Sequence, residues 1–147
     1  MFSFKILKRF LDILASLILL IMFSPFFILI SVILYVFDRG PIIFKHKRIG
    51  KEGKVFTLYK FRTMKKQSNK YFKNYLSQNK DAKYQWDNLH KLKSDPRITK
   101  IGYFLRKLSI DELPQILNVL KGEMSLVGPR PIIANEDNTA LIPVFFL

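Results

Sequence analysis

The chain has 147 residues, enough for one ordinary domain. It carries 25 Lys and Arg against 11 Asp and Glu, a formal charge of +14, yet 49% of its residues are hydrophobic and its mean hydropathy is +0.10. That pairing excludes a disordered basic tail or a histone-like protein, and the lack of cysteine excludes disulfides, thiol nucleophiles and cysteine-based zinc sites.

Two isolated histidines, His46 and His90, are too few for a histidine-based metal cage. Residues 1–38 carry a net +1, residues 39–100 a net +14 and residues 101–147 a net −1. The excess of cations therefore follows a hydrophobic segment directly, an arrangement drawn to anionic lipid at roughly 1 kcal/mol per Lys or Arg near the surface. Composition favours a basic protein at a membrane surface, with no nucleic acid as partner.

The first element is that segment, Ile13 to Phe37, 25 residues without a charge between Asp12 and Asp38. As a helix it extends about 37 Å, sufficient for a hydrocarbon core of about 30 Å, and it is too long for a signal-peptide core. Two features oppose a simple crossing. Ser24-Pro25 lies at the midpoint, where proline removes a hydrogen bond and kinks or breaks a helix. Both flanks are basic, with Lys5, Lys8 and Arg9 before and Arg39, Lys45, Lys47 and Arg48 after, and the positive-inside rule holds both on one side. A re-entrant helix-break-helix meets both conditions, with the Ser24 hydroxyl serving backbone groups freed at the break. On these grounds a kinked span stays open as well, because proline is tolerated in spanning helices.

Beyond Asp38, Ile42-Ile43-Phe44, a turn at Gly50-Lys51-Glu52-Gly53 and the run Val55 to Phe61 predict a β-hairpin from Ile42 to Phe61. Residues 65–93, Lys-rich and dotted with Tyr71, Phe72, Tyr75, Tyr84 and Trp86, predict one or two amphipathic surface helices. Asp95-Pro96-Arg97-Ile98-Thr99 reads as a turn. Ser109 is then expected to N-cap a helix, with Glu112 completing a capping box. Leu113, Ile116, Leu117 and Leu120 mark its buried face, and Gly122 its stop. Gly128-Pro129-Arg130-Pro131 is a rigid segment that fixes one arginine. The expected class is α/β, mostly α: a re-entrant membrane hairpin over 1–38, a small cytoplasmic catalytic domain with a short β-hairpin over 39–135, and a tail over 136–147.

Asp111-Glu112 is the adjacent carboxylate pair of the second half. Acids in a first helical turn ordinarily complement the helix dipole, so the pair alone says little. Its surroundings say more. Arg106 and Lys107 lie one turn upstream and Arg130 is locked between prolines, the kind of cations that make a phosphate site. A carboxylate beside bound phosphates can attack phosphorus or hold the Mg²⁺ that offsets their charge. No Walker-type glycine loop exists, so P-loop ATP binding is unsupported.

Taken in order, Lys8-Arg9 with Asp12, Ser24-Pro25, Lys60-Phe61-Arg62-Thr63-Met64, Asp95-Pro96-Arg97-Ile98-Thr99, Ser109-Ile110-Asp111-Glu112-Leu113-Pro114-Gln115 and Gly128-Pro129-Arg130-Pro131 resemble the bacterial sugar transferases. These are the monotopic polyprenyl-phosphate phosphoglycosyl transferases, and the stretch Tyr71 to Lys93 looks most like their undecaprenyl-phosphate galactose-phosphotransferase branch. The resemblance covers residues 1 to about 135. It implies transfer of a sugar 1-phosphate from a UDP-sugar to a polyprenyl phosphate, with release of UMP, in bacterial exopolysaccharide, capsule or O-antigen synthesis. By the same resemblance Asp111 is the nucleophile that forms a covalent phospho-sugar intermediate, and Glu112 assists proton transfer. Asp111 would also be the protein ligand of Mg²⁺. Arg106, Arg130, Lys60, Arg62 and Arg97 are implied substrate contacts, Lys8 and Arg9 lie near the lipid phosphate, and Ser24 and Pro25 break the membrane helix. The implied setting is the cytoplasmic face of the bacterial inner membrane, among membrane lipids, with a homo-oligomer allowed.

The resemblance stops short at the C-terminal end. Related domains continue past Gly-Pro-Arg-Pro, whereas here Asp137 to Leu147 do not follow the family's pattern. The expectation is a C-terminally truncated domain. Its alternative role is that of an inactive remnant, a membrane-bound interaction or scaffolding protein.

Overall fold

The computed structural model describes residues 2–50, 53–66, 68–89 and 92–133. Lys51 and Glu52 of the expected turn, His90 and the tail expected over 136–147 lie outside the described residues. Phe2–Asp38 forms one 37-residue helix, α1, so the expected division into two helices at Ser24-Pro25 is not present. The reason is local. Pro25 lacks the N–H that would reach the Ile21 carbonyl, and the Ser24 hydroxyl donates to that same oxygen at 2.8 Å. The one acceptor that proline orphans is thus satisfied from within the chain.

α1 is held at two places to the same folded domain. Near its start, Arg9 donates to the Val119 and Leu120 carbonyls at 2.6 and 2.8 Å. Near its end, Ile30 and Leu34 join Phe61 and Leu105 in the main core, with the rings of Phe27 and Phe61 5.5 Å apart. Leu34 and Phe61 are among the most deeply buried side chains, each worth roughly 1.5–3 kcal/mol of transfer free energy. Between the two anchors, Leu17, Ile18, Ile21, Met22, Phe26, Ile28 and Leu29 are exposed. An apolar surface left bare on several sides of a helix is suited to lipid.

The chain leaves α1 through Arg39 in the left-handed region (φ 42°) and Gly40. A methyl group at Gly40 would overlap the Arg62 guanidinium, so glycine is what lets that side chain lie against the helix exit. The predicted hairpin then forms as β1 (Ile43–Ile49) and β2 (Val55–Phe61), antiparallel, with Ile43 opposite Phe61 and Ile49 opposite Val55. A two-residue strand, β3 (Ile132–Ile133), which the sequence reading does not include, pairs with the other side of β1 to give the order β2-β1-β3. That leaves β2 at an edge. Asn118, fully buried, fills the gap: its Oδ1 accepts from the Tyr59 N–H at 3.1 Å and its Nδ2 donates to the Thr57 carbonyl at 2.7 Å.

The two surface helices expected over 65–93 are α2 (Ser68–Gln78) and α3 (Lys80–Leu89), closed on Phe72, Ala82 and Leu92 with Trp86 edge-on to Phe72. Thr99 ends the Asp95–Thr99 turn and N-caps α4 (Lys100–Lys107), its hydroxyl accepting from Gly102 N–H at 2.9 Å.

The next segment corrects the expectation. Ser109 makes no side-chain cap and sits in the left-handed region (φ 56°), and Ile110–Gln115 is a 3-10 helix that leads into α5 (Ile116–Lys121). Pro114 removes the N–H that an α-turn would aim at Ile110, which favours the tighter 3-10 pairing. The Glu112 side chain bonds Lys60 in place of a capping box. The change of helical phase leaves Leu117 exposed and buries Asn118 and Val119. Gly122 ends α5 as expected, at φ 83°.

Gly102 tests the packing of α4. A methyl group there would overlap the Thr63 carbonyl, which also accepts from the Thr99 N–H at 3.0 Å. Gly102→Ala should cost about 1–3 kcal/mol and lower the thermal midpoint in detergent, read by circular dichroism. Gly128→Ala, which meets only an ordinary contact at 3.8 Å, should leave it nearly unchanged.

Candidate active site

The site is built around the 3-10 helix, because that turn places consecutive residues Asp111 and Glu112 in different surroundings. Asp111 is buried at 8% exposure, and among the described residues no cation lies within ion-pair distance of it. Burial pushes its carboxyl above the usual aspartate range; the charge of Lys60 opposes this, that of Glu112 adds to it, and Arg106 opposes it again. Glu112 goes the other way. Burial would raise it too, but the hydrogen bond and charge of Lys60, then Arg130 and a hydrogen bond with Gln115, hold it below the usual glutamate range. Two neighbouring carboxyls are thereby driven apart in acidity, the arrangement that lets one pair take different roles.

Three cations surround them. Lys60, at the end of β2, donates to Glu112 Oε1 at 2.7 Å. Arg130, largely exposed at 79%, stands 3.8 Å from Glu112 Oε2. Arg106, at the end of α4, is fixed by its Nε donating to Thr63 Oγ1 at 2.8 Å. Of the residues expected at the site, the structure brings together Asp111, Glu112, Lys60, Arg106 and Arg130.

The other expected contacts lie elsewhere. Arg62 is buried at the exit of α1, just past the end of β2, where it stands 3.8 Å from Asp38. Arg97 makes a fork onto Asp95 at 2.6–3.0 Å and lies 3.6 Å from the centre of the Phe72 ring, so it braces the α2–α3 cluster. Lys8 bonds Ser125 and the Val127 carbonyl, the latter at 3.1 Å, and Asp12 accepts from Ser125 Oγ at 2.8 Å and from Leu126 N–H at 3.3 Å. With Arg9 on the end of α5, this first part of α1 clamps the loop that delivers Arg130. Ser24 and Pro25 lie in the exposed middle of α1, away from the carboxylates.

Three contributors escaped the sequence reading. Asn118 sits in a helical stripe where a polar residue is easily read as solvated, and only the unpaired edge of β2 explains it. Ser125 is a loop serine with no local signal. Arg48 was counted with the basic flank, although the period-two alternation of β1 already puts it on the face of Lys60.

Comparison with known sequences adds to this geometry. A family described as bacterial sugar transferase matches residues 3–143. An uncharacterized sugar transferase of Haemophilus influenzae is 50% identical over 139 residues, covering 91% of this chain and 28% of that protein. The undecaprenyl-phosphate galactose phosphotransferase of Salmonella typhimurium is 48% identical over 139 residues, covering 91% and 28%. The exopolysaccharide production protein ExoY of Rhizobium meliloti is 45% identical over 129 residues, covering 88% and 57%. The chain thus spans between about a quarter and somewhat over half of the length of these relatives.

The placement of Arg97 has a direct check. Arg97→Ala strands the buried Asp95 carboxylate and should destabilise the free protein by about 3–5 kcal/mol. Arg97→Lys keeps the charge without the fork or the flat face over Phe72, and should recover only part of the loss. Thermal unfolding without substrate reads both, and an unchanged midpoint would mean Arg97 does not hold this cluster.

Proposed function

The chain belongs to the bacterial sugar transferase family, and on that premise we propose that it transfers a sugar 1-phosphate from a UDP-sugar to a polyprenyl phosphate, undecaprenyl phosphate in bacteria, releasing UMP. The observation that carries this reading is the carboxylate pair among three cations, one carboxyl buried and without an ion pair among the described residues, the other held ionised. The names of the relatives agree with it: one is an undecaprenyl-phosphate galactose phosphotransferase and another a UDP-glucose:undecaprenyl-phosphate glucose-1-phosphate transferase.

In the first step an oxygen of ionised Asp111 attacks the phosphorus that bears the sugar. The bond from that phosphorus to the bridging oxygen breaks, and the oxygen leaves with its electron pair as part of UMP. In the second step an oxygen of the polyprenyl phosphate attacks the same phosphorus and the bond to Asp111 breaks, restoring the carboxylate. Lys60, Arg106 and Arg130 offset the repulsion between an attacking carboxylate and a charged diphosphate. Glu112, ionised at neutral pH, accepts the proton carried by the acceptor phosphate.

Mg²⁺ fits this donor set. Magnesium ordinarily takes one or two carboxylates and completes its shell with water and substrate phosphates. Among the described residues no group of three metal-ligating side chains exists, and both oxygens of Glu112 face cations, so Asp111 is the carboxylate of the site open to the ion. When bound, Mg²⁺ neutralises diphosphate charge and favours the ionised form of Asp111.

The apolar helix associates the chain with a membrane. We place both ends of α1 on the cytoplasmic side of the inner membrane, with its exposed middle dipping into lipid. Supporting this, Arg9 and Leu34 dock on one and the same domain, which a helix with its ends on opposite faces of a bilayer cannot do.

Two experiments check these readings. Incubated with labelled UDP-sugar, Mg²⁺ and no acceptor, the chain should carry a phospho-sugar on the peptide Leu108–Lys121, seen by mass spectrometry. Asp111→Asn should lose adduct and UMP release alike, whereas Glu112→Gln should slow turnover on the order of 100-fold and retain adduct. An active preparation with no adduct there, or an active Asp111→Asn, would overturn the mechanism. For topology, the chain is free of cysteine, so Lys5→Cys and Lys47→Cys report cleanly. Both should resist an impermeant thiol reagent in intact spheroplasts and react after lysis; labelling of Lys5→Cys alone in spheroplasts would mean that α1 spans.

A further inference from the structure

The register of the hairpin sets Phe44 opposite Lys60, His46 opposite Leu58 and Arg48 opposite Phe56. Directly opposed residues share a face, so Arg48 and His46 of β1 lie on the face from which Lys60 reaches Glu112. Arg48 is half-buried, and its Nε is enclosed without a hydrogen-bond partner among the described residues. Leaving such a donor unmet is unfavourable, and more so for a charged group.

An ordinary structural pairing does not account for it. Glu112 is the acid whose charge Arg48 feels, yet the two oxygens of Glu112 face Lys60 and Arg130, and among the described residues no carboxylate lies within 4.0 Å of Arg48. His46 does not balance it either. Burial, then the positive charges of Arg48 and Lys60, hold its imidazole below the ordinary value and hence neutral at neutral pH. Arg48 and Lys60 are therefore two fixed positive charges on one face, Arg48 with an unmet donor and within electrostatic reach of Glu112. Arg48, Lys60, Arg106 and Arg130 exceed Asp111 and Glu112 by two charges, the number carried by a diphosphate diester.

We infer that Arg48 is a substrate-binding residue, its guanidinium holding a phosphate oxygen of the nucleoside-diphosphate donor at the carboxylate site. This rests on the donor being a UDP-sugar. A guanidinium suits the task because its fork matches phosphate oxygens and its charge does not depend on pH.

The test is UDP binding to the full chain in detergent with Mg²⁺, by isothermal titration calorimetry. Arg48→Ala should weaken UDP at least about tenfold, and Arg48→Lys, which keeps the charge without the fork, about three- to fivefold. Lys47→Ala removes the same charge from the adjacent residue on the opposite face and should bind UDP as the parent does. Wild-type-like affinity in Arg48→Ala, or equal weakening in Lys47→Ala, overturns the role of Arg48 while leaving the proposed reaction intact. A parent chain that binds no UDP overturns both. Should Arg48→Ala fail to fold, Arg48→Lys decides by the same comparison, parent-like affinity overturning the inference.

Discussion

Everything near the carboxylates hangs on one constraint: α1, an apolar helix about 55 Å long if straight, has to keep both ends on one small domain. Its first turns meet the C-terminal end of α5, where Arg9 supplies hydrogen bonds and positive charge to the Val119 and Leu120 carbonyls of the last turn. Its last turns enclose Phe61, at the end of the strand that carries Lys60. The 3-10 helix with Asp111 and Glu112 lies between those two contacts in the chain of packing, touching β2 on one side and α5 on the other. The carboxylate turn is thus linked to both ends of α1 through directly packed elements.

The polar chemistry follows from how the cations are restrained. Lys60 and Arg106 are each pinned by a short hydrogen bond, one to Glu112 and one to Thr63, whereas Arg130 is largely exposed and meets Glu112 at 3.8 Å. The site thus combines two fixed charges with one adjustable one. Left-handed Ser109, two residues before Asp111, is a strained conformation for a non-glycine residue, tolerated because Ile110 and Leu113 on its far side pack into the core.

Much of this was legible in the sequence. The hairpin declared itself through β-branched and aromatic alternation, the α2–α3 pair through aromatics at helical spacing, and the carboxylate site through acids set among arginines. What escaped was tertiary in origin. A proline in a helix normally signals a break, and only the position of the Ser24 hydroxyl on the Ile21 carbonyl shows why α1 continues. The capping box failed because Glu112 found a lysine on a strand 52 residues away, a partner that no local pattern contains. Arg97 and Lys8 were assigned by resemblance of their motifs, and a motif does not say whether a cation meets a ligand, an aromatic face or a loop.

The amide of Asn118 has a consequence for how copies of this chain meet. By occupying the Thr57 carbonyl and the Tyr59 N–H, and itself being held by Glu123 at 2.6 Å, it closes the outer side of β2 as a further strand would. Those two backbone groups are no longer available to a neighbouring strand. Crowding on a membrane raises local concentration and with it the hazard of sheets growing edge to edge. In this fold one buried side chain blocks the middle of the longer strand edge, which disfavours strand-to-strand association between neighbours there.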